Sequence, residues 1–64
     1  MSEPRAGLDI AGLEDVYDRL ARAIDQAGEA KSRLFLVKLA LLNADALGDP
    51  ELFRRHLESA LRDL

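Results

Sequence analysis

From Leu34 to Leu47 the chain offers only Lys38, Asn43 and Asp45 as polar residues. Wound as an α-helix at about 100° per residue, the apolar side chains of this segment spread over nearly the whole circumference. Lys31, Lys38 and Asp45 fall together on one narrow line, the only polar ridge the helix has. A helix apolar almost all round is buried on several sides. The longest greasy run, Leu34 to Leu42, is interrupted by Lys38 and is far shorter than the roughly 20 residues needed to cross a bilayer. The segment therefore predicts a central helix of an all-α domain, with neighbours supplied by the rest of the chain and by whatever else it meets.

Those neighbours are legible on both sides. Ile10, Leu13, Tyr17, Leu20, Ile24 and Ala27 recur at steps of three and four residues, the spacing of one helical stripe. Asp9 can cap a helix that starts at Ile10, while Gly12 before Leu13, Glu14 and Asp15 offers a second start one turn later. Gly28 supplies the stop, because glycine accepts the left-handed conformation that a β-carbon disfavours. The second helix begins between Glu29 and Ser32 and stops at Gly48. Asp49-Pro50-Glu51 then combines a cap, a proline suited to the first helical position and an acid at the positive end of the dipole. Phe53, Leu57, Ala60, Leu61 and Leu64 follow as the inward stripe of a third helix. The three helices are expected near residues 9–28, 30–47 and 49–63, joined by short turns into one domain over 9–64, with residues 1–8 as a disordered tail. The second helix is expected to be the most buried, with Leu20, Phe35, Leu39, Leu42 and Leu57 in the core. Asp15 with Arg19, Asp18 with Arg22, Glu51 with Arg55, Arg54 with Glu58 and Glu58 with Arg62 stand four residues apart as outer-face ion pairs.

Sixty-four residues make a poor surface-to-volume ratio, and the chain has no cysteine with which to staple itself. Two flanking helices cannot shield a third whose apolar arc approaches the full circle. Self-association, as a homodimer or higher homo-oligomer, is the low-cost solution for a single sequence. Leu34, Val37, Lys38, Leu41 and Asn43 are the expected interface residues. A heterologous protein partner could cover the same face.

Nine basic against twelve acidic residues give a net charge of −3. That argues against nucleic acid, whose phosphates call for a basic surface. Residues 1–7 carry Glu3 and Pro4 and show no secretory pattern, and with no cysteine a reducing cytoplasmic location fits. The chemistry-bearing residues are few. His56 is the only imidazole, without a second His or Cys to complete a metal site and with only Ser2, Ser32, Ser59 and Tyr17 as hydroxyl partners. It reads as a boundary residue on the third helix. Tyr17 reads as a packing ring with its hydroxyl at a rim, and Tyr17 and His56 are the two side chains that could face a ligand. Asn43, set among Leu36, Ala40 and Leu47, reads as a seam amide that fixes register or oligomer state. No catalytic residue, cofactor-binding residue or metal ligand is assigned.

The run Leu39-Ala40-Leu41-Leu42-Asn43-Ala44-Asp45-Ala46-Leu47-Gly48-Asp49, with Ser32, Lys38 and Tyr17-Asp18-Arg19-Leu20 before it, resembles a family of small proteobacterial proteins, the domain of unknown function numbered 2783. The resemblance covers nearly all the chain after its first residues. It implies a short helical protein, encoded near genes for degradation of aromatic compounds, and it implies no activity. Leu36 and Asp45 depart from that family, whose helix carries Asn there, so no paired amide motif is implied here. The sequence thus predicts a non-enzymatic helical interaction or accessory protein. Its alternatives are a small antitoxin-like regulatory partner and a ligand carrier with its site at an oligomer interface.

Overall fold

The computed structural model describes residues 7–64, and the expected tail lies, for residues 1–6, outside the described residues. The fold is all-α. Its elements are α1 (Ile10–Ala27), α2 (Ser32–Leu47) and α3 (Pro50–Leu61), with no strand among the described residues. The chain divides into two units, Met1–Ser32 with α1 and Arg33–Leu64 with almost all of α2 and α3.

In the first unit the choice between two helix starts falls to Asp9. Its backbone is extended, its carboxylate accepts the Gly12 N–H at 2.8 Å, and its carbonyl accepts the Leu13 N–H at 2.9 Å. Gly12 is the third helical residue, and its role is room: a β-carbon there would come within 3.1 Å of the Asp9 carboxylate. At the other end Gly28 takes φ +82° and donates its N–H to the Ile24 carbonyl, satisfying one of the last carbonyls of the helix. Exposure is graded along α1. Leu20, Ala23, Ile24 and Ala27 in its second half are half-buried, whereas Ile10, Leu13, Val16 and Tyr17 in its first half are exposed.

The second unit joins α2 to α3 through Gly48 and Asp49 alone. Gly48 sits at φ +70° and donates to the Ala44 carbonyl. Asp49 caps α3 as the sequence predicts, its Oδ1 accepting from both Glu51 and Leu52 N–H at 3.1 Å, with Pro50 in the first turn. Lys31 lies in the turn before α2, so the polar ridge on the helix itself reduces to Lys38 and Asp45.

No described residue is fully buried, and this corrects the expected core. Leu20, Phe35 and Leu39 are half-buried, but Leu57 and Leu42 are exposed, Leu42 at 68%. On α3 the half-buried pair is Leu52 and Phe53 in the first turn, while Leu57, Ala60 and Leu61, and Leu64 beyond the end of the helix, are exposed. The physical reason is the one that governs short chains: one helix stripe covers little more than about 100° of a neighbour, and within the second unit α3 is the single helix available to α2.

Candidate functional site

The unbroken course of α2 fixes how its exposed residues group. Leu34, Val37 and Leu41, at steps of three and four, lie on one stripe and are 61%, 49% and 64% exposed. Lys38 flanks the stripe on one edge and Arg33 on the other, both exposed, with Asp45 further along beside Lys38. Four of the five expected interface residues are therefore brought together. Asn43 is not among them: two residues past Leu41, it points about 160° away around the helix axis. Asn43 is also exposed, so its amide is open to solvent in the single chain.

Tyr17 and His56 are both exposed, one in each unit. Tyr17 is 71% exposed and lines a shallow open recess of about 500 Å³ together with Ile10, Leu13, Glu14 and Asp18. Sequence reasoning assigned Ile10 and Leu13 to packing and missed them as surface residues; Ile10 is 75% exposed. A signal was present. Glu14, Asp18 and Asp25 follow the apolar stripe of α1 along one edge, so this stripe has an acidic border in the sequence itself. Among the described residues no group of three His, Cys, Asp or Glu side chains is placed to hold a metal ion around His56 or elsewhere.

Electrostatics on the outer faces are local. Asp15 holds Arg19 at 2.8 Å, the i, i+4 pair the spacing predicts. On α3 a single guanidinium serves two carboxylates: Arg54 donates through Nε to Glu51 at 3.0 Å and through Nη1 to Glu58 at 2.5 Å, with a further contact from Nη2 to Glu51. Glu51 and Glu58 are thereby turned toward Arg54, in place of the expected pairs with Arg55 and Arg62. The hydrogen bonds that Arg54 donates to Glu51, opposed by desolvation and helped by the one to Glu58, hold its guanidinium above its ordinary pKa. All three side chains are more than half exposed, so this cluster is a solvated face.

No described helix is long and apolar enough to cross a membrane. Compared with family models, curated proteins and solved structures, the chain gives no match.

Proposed function

We propose that this chain is a non-enzymatic helical interaction protein, a small accessory subunit that self-associates through α2. The observation that carries the reading is the stripe Leu34, Val37 and Leu41, three large apolar side chains exposed in register on one face. A contiguous apolar face of this kind on a small protein marks an interaction site. The chemical inventory supports the same reading, since one imidazole without nearby ligands and carboxylates spread over helix outsides give acid–base chemistry little to work with. A cytoplasmic setting, read from a chain without cysteine, and a link to degradation of aromatic compounds, read from the family resemblance of Leu39 to Asp49, belong to this proposal.

Replacing Leu41 with Glu tests it. The new carboxylate enters the seam unpaired and is expected to cost about 3–5 kcal/mol of association free energy, read by sedimentation equilibrium beside the unaltered chain. Equal masses for the two proteins across the concentration range would refute the α2 interface.

A further inference from the structure

We propose that the α2 stripe is covered by α1 of a second copy of this chain, and that opposite charges bordering the two stripes select this pairing. The inference rests on the self-association read above and adds the surface that meets α2.

The two stripes match in spacing. Ile10, Leu13 and Tyr17 on α1 and Leu34, Val37 and Leu41 on α2 each recur at steps of three and four, the rows that interdigitate when helices pack. All six side chains are exposed in the single chain. The recess beside Tyr17 is shallow and open, so the α1 stripe is accessible to an incoming helix.

The charges match as well. Glu14 and Asp18 directly follow Leu13 and Tyr17 and line the same recess. Arg33 and Lys38 directly precede Leu34 and follow Val37 on α2. None of the four takes part in an ion pair among the described residues, which show only Asp15 with Arg19 and Arg54 with Glu51 and Glu58. An α2 stripe against its own copy would set Arg33 and Lys38 facing like charge, relieved only by Asp45. An α1 stripe against its own copy would set Glu14 and Asp18 facing each other. Like-charge juxtaposition disfavours both pairings, and the crossed one sets the acidic edge of α1 beside one basic edge of α2, that of Arg33 or that of Lys38.

The test uses two double variants, Glu14→Lys with Asp18→Lys and Arg33→Glu with Lys38→Glu, each first checked for helicity by circular dichroism and then sedimented alone and as an equimolar mixture. Each alone is expected to associate about tenfold or more weakly than the unaltered chain, because both of its stripes then carry one sign. The mixture is expected to recover association, since each reversed stripe meets its complement. Arg55→Glu with Arg62→Glu, which alters net charge equally on α3, is expected to associate normally. If the α1 variant associates as tightly as the unaltered chain, if the mixture fails to recover, or if the α3 control weakens equally, the crossed pairing is wrong while self-association through α2 stands on the Leu41→Glu result. If the unaltered chain never associates, both readings fail. Should a variant lose its helices, a salt series on the unaltered chain decides: added salt is expected to weaken association, and indifference to salt overturns the pairing.

Discussion

α1 and α2 are nearly equal in length, 18 and 16 residues, yet they are held in place by different means. α1 is delimited by side-chain and backbone chemistry at both ends, with Asp9 accepting at its start and Gly28 closing its finish. Its apolar residues form one stripe. The start of α2 has instead a turn in which Lys31 donates to the Gly28 carbonyl at 3.1 Å, and Ser32 only a long 3.4 Å hydrogen bond from its hydroxyl back to Glu29. Its helicity draws on Leu, Ala, Lys and Arg, which are good helix formers, and its apolar residues circle the axis. The difference separates two requirements that amphipathic helices satisfy together. α1 is specified by its ends and its stripe, whereas α2 is a helix of good helix formers that leaves Leu34, Leu36, Val37, Leu41 and Leu42 exposed.

Substitutions can break this contrast at graded cost. The largest effect is expected of Leu41→Glu, which should leave α2 helical by circular dichroism and weaken the proposed association, because the residue contributes to the surface and not to helix formation. A smaller effect separates the two helix starts. Asp9→Ala removes an acceptor from the first turn of α1 and is expected to cost about 1 kcal/mol in chemical denaturation. Ser32→Ala removes no cap and should stay within about 0.5 kcal/mol of the unaltered chain. Equal losses at the two sites would mean that α2 too depends on a side-chain cap. The smallest effect is on the outer face, where Asp15→Ala is expected to cost about 0.3–0.5 kcal/mol through its exposed pair with Arg19. Arg54 adds no pH dependence near neutrality. Its folded pKa is raised, so its contribution is complete at every pH below the ordinary guanidinium range and is lost only as pH climbs through the raised value.

Much of the fold was legible because its signals are local. Asp9, Gly28, Gly48 and the Asp49-Pro50 pair each act on backbone groups within four residues, and each works as its residue type predicts. Exposure was less legible. The stripe of α1 is a true helical face, but periodicity gives the direction of a face and not how far along the helix a neighbour extends, so Ile10, Leu13 and Tyr17 share the stripe of half-buried Leu20 and Ile24 and yet stand exposed. Leu57 and Leu42 failed for the same reason. Arg54 shows a further limit: Glu51 and Glu58 each have an arginine at four residues' distance as well as Arg54, and spacing alone does not say which guanidinium they share. Of the candidate residues on α2, helical spacing alone shows that Leu34, Val37, Lys38 and Leu41 share one face, and the structure leaves that face exposed. Asn43 lies on a different face of α2 from Leu41, a separation that shows in the angle between them and not in its apolar neighbours along the chain.

The central claim, that the exposed stripe of α2 is stable only when a second copy covers it, is tested most directly by the melting temperature of the unaltered chain as a function of concentration. Folding coupled to association makes Tm rise with protein concentration by mass action. A Tm that climbs steadily from low to high micromolar chain, in step with a sedimenting mass that grows from one copy toward two or more, is the predicted result. A constant Tm with a single-copy mass throughout would contradict the account and leave Leu34, Val37 and Leu41 as an apolar face that needs no partner.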